Sequence, residues 1–239
     1  MTEQTTQKKY ELLKDDTVEH FGRTLYRIKA LITFGLVGAG QLGGYIETEK
    51  NLDHSGNAWV YDNARVCGDA CVYGNAGVYD NAWVYGNARV YGNARVYGKA
   101  WVFGNARVYG NARVYGKAWV FGNARVFGNA RVFGDACVYG NAGVCGDARV
   151  YDIARVFGNA RVRSFAVISE CKMIFWASNV GSENGTLTVF NGKFGLIVTR
   201  GCFTGTVDEF LSKSKEVHDD KTHHEYKLLI EVAQSRILN

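Results

Sequence analysis

From Ala58 to Cys171 the chain repeats one six-residue phrase without a slip of phase: Ala-Trp-Val-Tyr-Asp-Asn, Ala-Arg-Val-Cys-Gly-Asp, Ala-Cys-Val-Tyr-Gly-Asn, and so on for nineteen hexads. A period this regular constrains the fold more than any local propensity does. Within a hexad the order small, variable, valine, aromatic alternates with period two, as side chains do along a strand. Gly-Asn or Gly-Asp then breaks the alternation, because glycine accepts positive φ freely and Asn and Asp accept it better than most residues. Ala and Val therefore share one side, and the variable and aromatic residues share the other. A meander of four-residue hairpin strands would give only a thin Ala/Val face to any core. Coiling the chain around an axis toward which every Ala and Val points buries them all.

The number of sides can be read from a longer period. Trp83, Trp101 and Trp119 are spaced by three hexads, as are Lys99 and Lys117, and the blocks 93–110 and 111–128 differ only at Tyr109 against Phe127. A three-sided coil, with three hexads per turn, would impose this spacing. Sorted on that basis, the outward variable position forms three columns. One runs Trp59, Gly77, Arg95, Arg113, Arg131, Arg149, Val167; a second runs Cys71, Arg89, Arg107, Arg125, Gly143, Arg161; the third runs Arg65, Trp83, Trp101, Trp119, Cys137, Arg155. Two faces are arginine ladders and the third is a tryptophan ladder flanked by arginine.

Val60 with Ala64, and Val90 with Ala94, place a small residue four positions after an aliphatic one. In this the chain resembles the hexapeptide-repeat superfamily, though it carries Tyr or Phe directly after the aliphatic residue, where that family often has glycine. The resemblance implies an all-β solenoid, a left-handed parallel β-helix, whose hand is an exception to the usual right-handed crossover. Nineteen hexads would make about six three-hexad coils, a prism on the order of 30 Å long at roughly 4.8 Å per strand.

The ends lack the repeat. Residues 1–57 are expected to form an N-terminal β cap: Tyr10–Lys14 and Thr24–Leu31 read as a hairpin, and Gly35–Gly44 leads into Tyr45-Ile46-Glu47. Such a cap keeps the open edge of a solenoid from templating another chain. Beyond the solenoid of residues 58–171, residues 172–239 read as a small α+β C-terminal domain. Its strands fall at Lys172–Val180, Gly185–Phe190 and Gly195–Thr199; a capping box at Thr206 and Glu209 opens a helix to about Val217, and Glu225–Leu238 forms another. The strings Thr24-Leu-Tyr-Arg-Ile-Lys-Ala-Leu, Gly43-Gly-Tyr-Ile-Glu, Asn51-Leu, Asn179-Val-Gly-Ser-Glu-Asn-Gly and Arg200-Gly-Cys-Phe-Thr-Gly-Thr resemble a family of hexapeptide-repeat proteins encoded in phage, prophage and bacterial genomes. That resemblance implies a phage or mobile-element setting and carries over no catalytic residue.

Many hexapeptide-repeat proteins are acyltransferases, which use a histidine as general base beside an acyl-CoA groove. No histidine lies between Ala58 and Cys171, and no loop is inserted among the hexads. His54 sits at the cap junction, where a hydrogen-bonded structural role is expected. His218-Asp219-Asp220 with His223-His224 has no known metal-ligand spacing and reads as a solvated loop before a helix. The expectation is therefore a chain with no catalytic residue, no metal and no cofactor, and the acyltransferase is the second reading. Met1–Asp16 is polar and resembles neither a secretory signal nor a presequence, no segment has the length of a membrane span, and the six cysteines lack CxxC spacing. These features lead to the expectation of a cytoplasmic protein with free thiols and no membrane partner.

Charge is the stronger clue to function. Residues 58–171 hold eleven Arg and two Lys against six Asp and one Glu, a balance of +6 in a chain whose net charge is +5. Arg89, Arg95, Arg107, Arg113, Arg125 and Arg131 are the candidate polyanion-binding residues, with nucleic acid among the ligands they could take. Against this stands a structural alternative, in which each Arg covers a neighbouring Tyr or Phe as a cation–π pair. Trp83, Trp101 and Trp119 with Phe103 and Phe121 would expose an apolar strip, and self-association or a protein partner follows from it. The absence of Thr between Thr48 and Thr186 argues against ice binding, and basic faces argue against DNA mimicry.

Overall fold

The computed structural model describes residues 8–239; Met1–Gln7, the opening of the polar amino-terminal stretch, lie outside the described residues. Each hexad contributes a short strand at its variable and valine positions, and each strand pairs in parallel with the one three hexads further on. Arg95 pairs with Arg113 and then Arg131, Trp101 with Trp119, and Arg107 with Arg125. The three columns expected from the sequence are thus three parallel sheets. The backbone ladder continues around the corners, as in Arg107 N to Ala124 O at 2.9 Å and Asn111 N to Gly128 O at 2.8 Å, so the coil meets its own hydrogen-bonding needs.

At the inward positions of the repeat, every Ala and the Val or Ile two places after it, from Ala58 to Ile168, is no more than 1 % exposed. The corners show why glycine recurs. Gly110 has φ +69°, and a Cβ there would sit 3.0 Å from the amide of Gly128 in the next coil. Corner asparagines join successive coils: Asn75 Nδ2 donates to Asn93 Oδ1 at 3.3 Å, Asn93 to Asn111 at 3.2 Å and Asn111 to Asn129 at 3.1 Å.

The amino-terminal segment does more than cover the edge. Strands β1 (Tyr10–His20) and β2 (Arg23–Ala30) form the hairpin, with β1 running well past the expected Lys14. Strand β3 (Leu42–Ile46) pairs antiparallel with β2 and parallel with Arg65–Val66, and Leu52 bridges Val72. Ile46 and Leu52 therefore occupy valine positions of an extra coil, and the solenoid has about seven turns where the hexads alone suggested six. The extra turn escapes the periodicity because the step from Tyr45 to its partner Arg65 is longer by two than three hexads.

Polar side chains close this end. Asn51 Nδ2 donates to the carbonyls of Gly68 and Ala70, both at 2.8 Å, the Tyr10 hydroxyl donates to Leu52 O at 2.7 Å, and Lys9 Nζ donates to Ala58 O at 3.0 Å. Lys9 is buried, and that burial lowers its pKa to about 8 against a smaller opposing pull from Asp53. At this one group the unfolded chain holds more protons than the folded one between about pH 8 and 10.5, so the contribution of Lys9 to stability rises with pH through that window, while the thiols of Cys67, Cys71, Cys137 and Cys145, raised by burial, pull the other way. Tyr10, whose burial raises its pKa, reverses the trend once unfolded tyrosine begins to ionise near pH 10. Thermal unfolding between pH 7.5 and 9.5 should give a wild-type midpoint that gains on that of Lys9→Met as pH rises; a difference between the two that is constant or shrinks across this range contradicts the assignment.

The carboxyl-terminal segment closes the other end. Ile174–Val180, Gly185–Gly192 and Gly195–Arg200 form an antiparallel sheet with a fourth strand, Phe203–Thr206, that the sequence reading did not separate from the helix it precedes. Helix α1 (Val207–Val217) begins at the Thr206–Glu209 capping box, and α2 (Asp220–Leu238) begins at an Asp219 cap, ahead of the expected Glu225. Leu187, Val189, Val198, Phe210, Tyr226 and Ile230 form a second core, while Phe190 joins the solenoid core. Thr199 Oγ1 donates to Arg161 O at 2.7 Å and Thr188 Oγ1 accepts from Arg161 N at 3.0 Å, so the sheet satisfies the Arg161 backbone in the last coil.

Candidate polyanion-binding faces

The inward Ala/Val face leaves the variable position pointing to solvent, and the parallel register stacks equal residues. Arg95, Arg113 and Arg131 stand exposed on one face, and Arg89, Arg107 and Arg125 stand exposed on another. The outward aromatic residues do not serve as platforms for them. Ring stacks on ring: Tyr91 on Tyr109 at 4.9 Å, Tyr97 on Tyr115 at 4.7 Å and Phe103 on Phe121 at 4.9 Å, with interplanar angles of 1–2°. Of the solenoid arginines only Arg65 lies over a ring, 4.8 Å from Trp83, and the cation–π alternative is confined to it.

Nor are the arginines neutralised by acids. Among the described residues the solenoid's one ion pair is Lys117 to Asp135 at 3.9 Å, and of the ladder guanidiniums only Arg161 donates a hydrogen bond, to Asn141 O at 2.8 Å. Nine of the eleven arginines thus have no acid, ring or hydrogen-bond partner within the described residues. Ring spacing of 4.7–5.0 Å measures the distance between coils, so neighbouring guanidiniums repel through water, a repulsion that an anion between them would relieve.

The tryptophan column is only partly open. The hairpin tip covers Trp83, whose ring centroid is 3.6 Å from that of His20 and 6.2 Å from that of Phe21. Trp83, Trp101 and Trp119 stack at 5.6 and 5.3 Å, and exposure grows along the row until Trp119 is 42 % exposed. Phe103 and Phe121 are half-buried beside them. Trp59, outward by alternation, is fully buried under Phe34 and Tyr10 of the cap. Neither the covered Trp83 nor the buried Trp59 was legible from the repeat, since both depend on the hairpin's path.

The histidines nearest the solenoid are engaged structurally. His54 Nδ1 accepts from Lys9 N at 3.1 Å and its ring stacks on Tyr10 at 4.3 Å. His20 packs on Trp83, and burial, with Arg65 nearby, lowers its pKa. Further along, Asp219 Oδ1 accepts from Thr222 N at 2.8 Å as the α2 cap, and His223 Nδ1 lies 3.2 Å from Ser214 Oγ. Cys67, Cys71, Cys137, Cys145, Cys171 and Cys202 are free thiols, and no helix of the described residues is long and apolar enough to cross a membrane.

A parallel three-sheet coil closed at both ends, with its chemistry on outward columns, defines a β-solenoid repeat protein. Residues 88–104, 106–122 and 124–140 match a family model described as YdcK Beta solenoid repeat. The three matches begin three hexads apart, so the unit of that model is similar to one full coil of this chain. No curated protein matches the chain.

Proposed function

We propose that this chain is a binding protein that holds a phosphate-bearing polyanion along its arginine faces. The observation that carries the reading is the set of nine arginines with no partner inside the described chain, seven of which stack in register as Arg89, Arg107, Arg125 and as Arg95, Arg113, Arg131, Arg149. Arginine forks match phosphate geometry, and a column of them makes a groove for a charged backbone. The resemblance of the end motifs at Asn179–Gly185 and Arg200–Thr206 supports a phage or mobile-element setting, and the six free thiols support a cytoplasmic one. Fluorescence anisotropy with labelled oligothymidine at low salt tests the proposal: wild type is expected to bind, and the triple Ser variant of Arg95, Arg113 and Arg131 to bind much more weakly. Absence of binding to oligothymidine and to heparin at low salt overturns it, and saturable acetyl-CoA binding would favour the acyltransferase reading instead.

A second role has its own observation, the outward growth of tryptophan exposure toward Trp119. We infer that this face meets the same face of a second copy. Aromatic side chains bury roughly 150–250 Å² each, and at roughly 25 cal/mol per Å² two such rings on each copy would contribute several kcal/mol. Light scattering should give an oligomer for the wild type at micromolar concentration and a monomer for Trp101→Ser/Trp119→Ser. A monomeric wild type removes the inference.

A further inference from the structure

Two glycines, Gly77 and Gly143, interrupt the arginine ladders, and a cleft opens beside each. At Gly77 the cause is local. The missing side chain lets the Tyr79 ring fold back over the glycine, where a Cβ would collide with the Tyr79 ring and hydroxyl. Tyr79 stacks on Tyr61 at 4.4 Å, and a separate stack runs through Tyr97, Tyr115, Phe133 and Tyr151 at 4.7–5.0 Å. The column of rings is therefore broken between Tyr79 and Tyr97, and a cleft of about 480 Å³ fills the gap.

Its walls combine features that occur together at few places on the rod. Tyr97 is the terminal ring of its stack and fronts the cleft. Arg95 and Arg113, adjacent in the ladder and without acid partners among the described residues, stand beside it. Asp80 is the acid on the wall, and its carboxylate accepts from the Gly98 amide at 2.8 Å. Leu36, from the loop between β2 and β3, reaches the rim and is 98 % exposed, an apolar surface that no described residue covers.

We propose that this cleft is a binding site for a nucleoside monophosphate, the base stacking on Tyr97 and under Leu36 and the phosphate held by Arg95 and Arg113. A base continues the ring stack at the spacing the stack already has, and every base has a π-face, so the contact does not select among bases. Two adjacent guanidiniums suit a phosphate dianion, through forked, charge-assisted hydrogen bonds. Size decides between the two clefts: ligand sites span roughly 300–1,000 Å³. The Gly77 cleft falls in that range, and the Gly143 cleft, at about 200 Å³, does not. The proposal draws on two of the same unpaired arginines as the polyanion reading, and it adds a discrete site that a long ligand does not require.

Isothermal titration at low ionic strength with adenosine monophosphate, adenosine and inorganic phosphate tests it. One adenosine monophosphate should bind per chain with a Kd under about 1 mM, and adenosine and phosphate should each bind at least about tenfold more weakly. Tyr97→Ala and Arg113→Ala should each weaken the monophosphate by about tenfold or more. Gly77→Arg restores the consensus hexad and pushes only the far end of the Tyr79 side chain, so it should fold, close the cleft and abolish monophosphate binding while keeping or strengthening oligothymidine binding. No saturable monophosphate binding by the wild type, equal affinity for inorganic phosphate, or full binding by Tyr97→Ala or Gly77→Arg overturns the proposal. Monophosphate binding without oligothymidine binding would sustain the cleft and remove the polyanion reading.

Discussion

Oligothymidine affinity is expected to fall about 50- to 300-fold between about 50 and 200 mM salt. The figure follows from counterion release, with a log–log slope of roughly −0.7 per neutralised phosphate of a single strand. One face offers the four exposed guanidiniums of Arg95, Arg113, Arg131 and Arg149, and a strand that also reaches arginines of the neighbouring face neutralises about six phosphates. The slope is then about −3 to −4. Replacing Arg95, Arg113 and Arg131 by Ser should flatten it by about 2, because three fewer phosphates are neutralised. The rod itself should remain folded, since these side chains make no contact that the core needs and their removal relieves repulsion. An affinity that is indifferent to salt, or a variant with the wild-type slope, would mean that the ladders are not the binding surface.

Val108→Asp should abolish the folded coil, whereas the adjacent Arg107→Ser should leave its stability within about 0.5 kcal/mol or raise it slightly. Val108 is fully buried between Val90 and Val126 of the coils on either side. A carboxylate there has no donor to meet it, and burying an unpaired charge costs several kcal/mol, a large part of the roughly 5–15 kcal/mol that holds a domain together. Because each coil is held by its neighbours, losing this one also removes an interface from the coil on either side. Circular dichroism and thermal unfolding of the two variants give the comparison. Comparable unfolding temperatures for both would contradict the inward and outward assignment of the hexad.

Much of this fold is legible in the hexads because every contact of a coil recurs three hexads later. The alternation of Ala and Val with outward residues, the glycine corners, the three columns and the in-register ladders at Arg95, Arg113 and Arg131 all repeat, so one unit read correctly is the whole rod. The capping box at Thr206 and Glu209 is equally local, and the helix begins where it says. The extra turn through Ile46 and Leu52 was not legible, since it is longer than three hexads and lacks the Ala and aromatic positions. The strand Phe203–Thr206 was hidden by the capping motif that overlaps it.

The candidate sites divide along the same line. The arginine faces were named from sequence because repetition alone stacks them, and only the structure shows that the aromatic rings pair with one another and leave the guanidiniums free. The tryptophan row was also named from sequence, but its accessible part depends on a hairpin whose tip at His20 and Phe21 meets Trp83 from far away in the chain. The cleft at Gly77 arises from a rotated Tyr79 ring and a leucine from a distant loop. Side-chain period and backbone sterics, acting within one hexad and its copy, suffice to dictate the coil, its corners and the chemistry of each column. Which faces the ends cover, and where the ladder opens into a cleft, follow only from the packed molecule, because those contacts join segments that share no period and are chosen by the docking of whole elements.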